Sequence, residues 1–106
     1  MDRREIEIII KEFAKRIRKN GIKVEKVILF GSYASGENKE WSDIDVAIIS
    51  EEFGKNRFEE RLLLSRIAAE IDPRIEAHPI GKKEYEQEDW KILVSEVKKH
   101  GIEIAA

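Results

Sequence analysis

The chain has 106 residues, enough for one small domain with a single hydrophobic core, and we expect residues 1–106 to form that one domain. Its 20 basic and 22 acidic side chains nearly cancel to a net charge of −2, which excludes strong binding to nucleic acid through overall charge. Cysteine is absent, which excludes disulfides and thiolate metal sites. The charged N-terminus does not resemble a signal peptide, and no apolar stretch reaches membrane-spanning length, so we expect a cytoplasmic protein without membrane association.

Apolar periodicity predicts three long helices and three strands. The helices are expected at residues 2–20, 57–71 and 88–100, and the strands at 24–30, 43–50 and 74–80. Between them we expect a short helical turn from Ser32 to about Ser35 and a polar link at 81–86, with or without one helical turn. The last segment, 102–104, is either a short strand or a docked tail. This order predicts an α/β domain in which flanking helices pack on a small mixed β-sheet.

The apolar stripes of two helices identify the residues expected to face the core. In the helix at 57–71 the stripe consists of Leu63, Leu64, Ile67, Ala68 and Ile71. In the helix at 88–100 it consists of Trp90, Leu93, Val94 and Val97. Ile8, Phe58 and Leu62 fall outside the stripes, either as ordinary exposed apolar residues or as part of a surface for a partner.

Two aspartates occur in a predicted strand whose other residues are almost all apolar. Asp43 and Asp45 are two positions apart in the segment 43–50. Side chains alternate across a strand, so both carboxylates point to the same side, where two like charges repel one another. A divalent cation removes that repulsion, and carboxylate oxygens are suitable ligands for Mg²⁺. The alternative is that one aspartate caps a turn while the other is solvated at the start of the strand.

A Gly31-Ser32 pair directly follows the strand at 24–30. Glycine permits a tight turn and a close approach of the backbone to a ligand, and serine is a favoured residue at the start of a helix. A short helical turn at this place presents N–H groups and the positive end of a dipole, which favours an anion such as a triphosphate. The alternative is an ordinary strand–helix turn, and the nearby aspartate pair favours the phosphate site.

Together these residues resemble a known family. Gly31-Ser32, ten intervening residues and then Asp43-x-Asp45 are similar to the signature of the DNA polymerase β-like nucleotidyltransferases. The pattern is most similar to that of the minimal nucleotidyltransferases (MntA-like proteins), small single domains that often serve as antitoxins to HEPN-type toxins. The resemblance covers most of the chain. It implies the nucleotidyltransferase fold and the transfer of AMP from ATP, with Gly31 and Ser32 binding the nucleotide.

The family has a third carboxylate on a later strand, and Glu76 in the predicted strand 74–80 is in that place. The resemblance therefore implies that Asp43, Asp45 and Glu76 are catalytic residues that ligate two Mg²⁺ ions. It leaves open whether Glu76 also accepts the proton of the attacking hydroxyl, because aspartate is the commoner residue in the polymerase branch. The alternative is that Glu76 forms a surface ion pair with Arg74 or a lysine.

The acceptor of the nucleotide is not identified by the residues themselves. The resemblance implies a tyrosine of a cognate HEPN-type toxin, bound in a heteromeric complex or an oligomer. One alternative is a non-catalytic antitoxin that occludes its toxin, against which the intact Gly31, Ser32, Asp43 and Asp45 argue. The other is transfer to a small molecule such as an aminoglycoside, against which the expected single domain argues.

Overall fold

A four-stranded mixed sheet lies at the centre of the computed structural model, which describes residues 2–106. Its strands are β1 (Lys26–Phe30), β2 (Ile44–Ser50), β3 (Ile75–Gly81) and β4 (Ile102–Glu103). They lie in the order β3-β2-β1-β4, in which β1 is antiparallel to both of its neighbours and β2 is parallel to β3. The predicted mixed sheet is confirmed, and β3, the strand that bears Glu76, lies at one edge of it.

Five helices connect and cover the strands of the described chain. They are α1 (Arg3–Lys19), α2 (Ser32–Ser35), α3 (Arg57–Ile71), α4 (Lys82–Gln87) and α5 (Ile92–His100). Asp2 caps the start of α1, where its carboxylate accepts a hydrogen bond of 2.9 Å from the Glu5 N–H. Basic residues occupy the last turn of α1, where they complement the negative end of the helix dipole.

The sheet separates two apolar layers of unequal size. Alternate residues of β2 face opposite ways, with Val46 and Ile48 towards the larger layer and Ala47 and Ile49 towards the smaller one. The helices α1 and α3 cover the larger layer, with buried side chains at Ile6, Ile10, Phe13, Ala14, Ile17, Leu64, Ile67 and Ala68. The smaller layer is covered by α5, which buries only Val94 and Val97.

The structure corrects two predictions about which side chains are buried. Trp90 is not on the buried stripe of the last helix: it precedes α5 and is 76% exposed. Lys91, the residue directly before α5, has an extended backbone and forms an ion pair with the buried Glu84, so the helix starts later than its apolar pattern suggests. Leu63, expected in the stripe of α3, is also exposed, whereas Leu64, Ile67 and Ala68 are buried in the larger layer and Ile71 packs against it partly buried.

The remaining differences concern element boundaries. The first strand starts at Lys26 rather than at residue 24, and β2 and β3 each begin one residue later than predicted. The expected polar link at 81–86 is largely a helix, α4, and the final segment forms the two-residue strand β4.

Among the helices of residues 2–106, none has the length and apolar character needed to cross a membrane.

Candidate active site

Asp45 and Glu76 are neighbours across the parallel pair of strands. Asp45 of β2 is in register with Glu76 of β3 and, on its other side, with Phe30 at the end of β1. Adjacent strands lie about 4.8 Å apart, and residues in register project from the same face of the sheet. Both carboxylates therefore lie on the face covered by α5, at positions that remain partly exposed.

Gly31 brings the backbone that follows β1 against the Asp45 carboxylate. Its backbone has φ 75° and ψ −153°, a conformation open almost only to glycine. A Cβ atom at this position would overlap the Oδ2 atom of Asp45 and lie 3.1 Å from its Cγ. The absence of a side chain at Gly31 thus leaves the space that the Asp45 carboxylate occupies.

Ser32 begins the predicted short helix, which the structure contains as α2. The backbone N–H groups of Ala34 and Ser35 both donate to the carbonyl oxygen of Gly31, at 3.1 Å each. A depression of about 420 Å³ adjoins this turn, lined by Gly31, Ser32, Ser35, Glu37, Glu96 and His100. The nucleotide-binding residues expected from the sequence therefore line a concave surface, with α5 forming the opposite wall.

Asp43 lies immediately before β2 and is exposed to solvent. Two aromatic residues, one on α2 and one just before Asp43, differ in exposure. Tyr33 is only 5% exposed and packs in the larger apolar layer. Trp41 is 75% exposed, and the Lys39 ammonium lies over its ring, 5.8 Å from the centroid. Of these two, Trp41 is the one whose ring is open to a ligand.

Two of the carboxylates have basic partners. His78 Nε2 lies 3.3 Å from Asp45 Oδ1, and the imidazole ring packs edge-on against Phe30 with centroids 5.1 Å apart. Glu76 forms an ion pair with Arg61 of α3. Consistent with these pairings, no three His, Cys, Asp or Glu side chains within residues 2–106 are grouped closely enough to hold a metal ion.

The residues nevertheless have the chemistry of a divalent-cation site. Asp45 and Glu76 supply carboxylate oxygens from adjacent strands, and Asp43 supplies a third carboxylate from the approach to β2. Hard oxygen ligands of this kind suit Mg²⁺. The close contact of Gly31 with Asp45 also joins the predicted phosphate turn to the predicted metal ligands. The donor chemistry of these three residues therefore suits Mg²⁺, although the structure does not group their carboxylates together.

Sequence reasoning did not identify Arg61, Glu96 or His100 as residues of this region. The expected alternative partner of Glu76 was Arg74 or a lysine, but the structure pairs Glu76 with Arg61, 15 residues earlier. Glu96 and His100 meet the Gly31-Ser32 turn only because α5 folds over the end of β1. The only sequence feature that could have identified them is their spacing of four residues, which places both on one face of the helix. Such spacing is also common on solvent-exposed helices.

A second polar centre lies away from the candidate site, around Glu84 of α4. Its side chain is 6% exposed and accepts hydrogen bonds from Arg57, Lys91 and the Gly81 N–H. Burial raises the pKa of Glu84, but these hydrogen bonds outweigh it and hold the pKa at about 2. The carboxylate is therefore ionised at neutral pH, and it ties α4 to the start of α3 and to the residue preceding α5.

The chain is similar to known proteins over most of its length. The family profile described as "Nucleotidyltransferase domain" matches residues 10–104. A relative from Methanocaldococcus jannaschii named "Putative protein adenylyltransferase MJ0141" is 36% identical over 105 residues, covering 94% of this chain and 99% of its own length. Two other similarly named M. jannaschii relatives, 35% and 46% identical, are matched over about half of their lengths, 49% and 50%.

Solved structures with the same fold include two toxin–antitoxin complexes. A toxin–antitoxin structure with AMP-PNP aligns with a TM-score of 0.58 and 22% identity, covering 91% of this chain and 72% of that chain. A structure described as a tri-AMPylated Shewanella oneidensis HEPN toxin in complex with MNT antitoxin aligns with a TM-score of 0.55 and 19% identity, covering 95% and 72%. At these identities the likeness is one of fold, and it includes the arrangement of the four-stranded sheet and its helices.

Proposed function

Because the chain belongs to the nucleotidyltransferase domain family, we propose that it transfers the AMP group of ATP to a hydroxyl of a partner protein. The observation that carries this proposal is the position of Asp45. Its carboxylate contacts Gly31 at the turn after β1, and its strand position is in register with Glu76 on β3. A turn suited to phosphates and two carboxylates suited to a cation therefore meet at one end of the sheet.

Each site residue has a proposed role. Gly31 and Ser32 bind the phosphates of ATP through backbone N–H groups and the serine hydroxyl. Asp43, Asp45 and Glu76 would hold two Mg²⁺ ions. When bound, these ions would offset phosphate charge and favour ionisation of the acceptor hydroxyl.

The proposed transfer is a single displacement at phosphorus. The acceptor oxygen forms a bond to the α-phosphorus, the bond from that phosphorus to the bridging oxygen of the β-phosphate breaks, and pyrophosphate leaves. The hydroxyl proton passes to a base, for which Glu76 is our candidate, because its carboxylate lies on the same face as Asp45.

The proposed acceptor is a tyrosine of a HEPN-type toxin. Support comes from the S. oneidensis complex, in which the toxin is described as tri-AMPylated and bound to its antitoxin, and from relatives named as protein adenylyltransferases. On this proposal the chain is an antitoxin that silences its toxin by modification. The same comparison supports a heteromeric complex.

Intact-mass spectrometry tests the proposal. This chain is incubated with ATP, Mg²⁺ and the protein encoded by the adjacent reading frame, and the mass of that protein is measured. We expect its mass to increase by one or more AMP groups. Asp45→Asn is expected to abolish the increase, because an amide is a poor ligand for Mg²⁺. Asp89→Asn is the matched control, since Asp89 is exposed and pairs with Lys98 outside the candidate site.

The remaining outcomes separate the alternatives. A stable complex without any mass increase would support occlusion, and the exposed Phe58 and Leu62 of α3 are then the first residues to mutate. If neither a complex nor a modification is observed, transfer from labelled ATP to small hydroxyl compounds such as aminoglycosides becomes the leading alternative. Equal modification by wild type and Asp45→Asn would contradict the assignment of the site.

A further inference from the structure

The ion pair of Arg61 with Glu76 joins α3, on one face of the sheet, to a side chain on the other face, at the edge formed by β3. Arg61 belongs to α3, which packs on the larger apolar layer through Leu64 and Ile67. Glu76 alternates with Ile75 and Ala77, which face that layer, so its own side chain projects from the opposite face. The two side chains meet because β3 is at the edge of the sheet and leaves a path around it.

This ion pair competes with the use of Glu76 as a metal ligand. A carboxylate oxygen that accepts a hydrogen bond from a guanidinium has to exchange that bond for coordination by a cation. Within residues 2–106, the expected three-carboxylate cluster is not assembled in this conformation, in agreement with Glu76 being engaged elsewhere.

We propose that Arg61 is a positioning residue that holds Glu76 at the sheet edge in the metal-free protein and releases it when a divalent cation binds. This inference rests on the proposed function, because it takes Asp43, Asp45 and Glu76 as the metal ligands. The inference adds Arg61, a residue outside the set of site residues that the sequence predicts. The chain would thus complete its set of ligands only as the cation arrives.

The side chain of Arg61 is well suited to be replaced in a test. Its side chain is 45% exposed and that of Glu76 is 42% exposed, so the pair contributes little to the stability of the fold. Arg66 is a matched control on the same helix: it is also an exposed arginine, and it lies about one and a half turns further along α3. Replacing Arg66 removes the same charge without touching Glu76.

The experiment measures binding of Mn²⁺ alone, as a spectroscopic substitute for Mg²⁺, by the loss of the free-ion electron paramagnetic resonance signal. We expect Arg61→Ala to bind Mn²⁺ about two- to fivefold more tightly than wild type, the factor that corresponds to a half-exposed ion pair. Arg66→Ala should bind Mn²⁺ as tightly as wild type does.

In a Glu76→Gln background, Arg61→Ala should give no further tightening of Mn²⁺ binding, because the residue that Arg61 restrains is gone. Arg61→Gln serves as a second variant of similar size, and thermal unfolding is measured for every protein.

The outcomes distinguish this proposal from the proposed function. If wild type binds Mn²⁺, Asp45→Asn loses it and Arg61→Ala and Arg61→Gln do not tighten it, the metal site stands and the role of Arg61 is wrong. The role of Arg61 is also wrong if the tightening persists with Glu76→Gln or appears equally in Arg66→Ala. If wild type binds no Mn²⁺, the role of Arg61 is wrong, whereas the proposed function is decided separately by the mass of the partner protein, because a cation of this kind is often held jointly by carboxylates and substrate phosphates.

Discussion

At the scale of single residues, Gly31 is restrained in two separate ways. Its backbone conformation excludes other residues on steric grounds, and the place of its missing Cβ is taken by the Asp45 carboxylate. The first restraint belongs to the turn and the second to the candidate site. Measuring the two restraints separately shows how much of the requirement for glycine comes from the contact with Asp45.

Gly31→Ala is therefore expected to lower the free energy of unfolding by about 3 kcal/mol, as the sum of backbone strain and overpacking against Asp45. Gly36→Ala is the matched control, because Gly36 also has a positive φ, 82°, but no atom lies within 4 Å of the place that a Cβ would take there. The control should cost only about 1 kcal/mol, the penalty of a left-handed backbone. Urea denaturation of both variants measures the difference.

The contribution of the carboxylate is isolated by a second background. When Asp45→Ala is present, the oxygen atoms that meet the new methyl group are removed, so Gly31→Ala should become less costly. An unchanged cost in that background would show that the turn alone requires glycine, and that the contact with Asp45 contributes nothing to the requirement.

At the scale of elements, Glu84 links α4 to α3 and to the residue that precedes α5. Its carboxylate binds Arg57 of α3 and Lys91 at the start of α5, and it accepts the Gly81 N–H at the start of its own helix. One buried charge thus joins three helices. This explains why the helical pattern of residues 88–100 is interrupted, leaving Trp90 in solvent.

The low pKa of Glu84 predicts how stability depends on pH. The folded pKa of about 2 is below the ordinary value of 4.5, so the ionised group favours the folded state above pH 4.5. This contribution is lost as the pH falls from 4.5 towards 2. Denaturant unfolding of wild type across that range should show stability falling with pH, and Glu84→Gln should be less stable at neutral pH with a shallower fall.

Glu86→Gln is the control for this measurement, because Glu86 is an exposed carboxylate on the same short helix. It should reproduce the wild-type dependence on pH. If Glu84→Gln also followed the wild-type curve, the acid sensitivity would have to arise from other carboxylates. Asp72 is the first of these, since its hydrogen bond with the Arg74 side chain lowers the pKa of Asp72.

At the scale of the whole molecule, the two faces of the sheet are stabilised unequally. The helix α1 buries five side chains in the larger layer, whereas α5 buries only Val94 and Val97 in the smaller one. Full burial of an aliphatic side chain is worth about 1.5–3 kcal/mol, so α5 is attached by considerably less apolar contact than α1. The less firmly attached helix is also the one that walls the depression beside Ser32.

Hydrogen exchange followed by mass spectrometry should therefore find faster exchange in residues 92–100 than in residues 3–19. Addition of a non-hydrolysable ATP analogue with Mg²⁺ is expected to slow exchange in α5, because Glu96 and His100 face the proposed nucleotide turn. The helix α1 provides the internal control, since its exchange should not respond. Equal protection of α1 and α5 without ligand would contradict the unequal attachment of the two helices.

The sequence predicts those parts of the molecule that depend on local pattern. The bounds of α3 agree with the prediction because its apolar spacing and the Asp72-Pro73 stop act within a few residues. The short helix α2 is likewise predicted from Gly31-Ser32 and is confirmed. The assignment of Gly31, Ser32, Asp43, Asp45 and Glu76 as site residues stays a prediction, to which the structure adds their positions.

What the sequence could not predict depends on contacts between distant residues. The pairing of Arg61 with Glu76 requires the position of α3 relative to an edge strand, and the exposure of Trp90 requires the ion pair of Lys91 with Glu84. Glu76 and Lys91 each have several oppositely charged residues along the chain with which they could pair. Only the packing of helices on the sheet selects one of them.

The parallel pairing of β2 with β3 has a consequence for how the protein folds. Every other pair in the described sheet is antiparallel, but this one requires the chain to pass through α3 before Glu76 can be placed beside Asp45. Closing such a long loop costs entropy before its contacts offset it, so non-local parallel pairing is slow compared with the formation of helices. The two central carboxylates therefore come together late, and competence to bind metal should appear only when this crossover has closed.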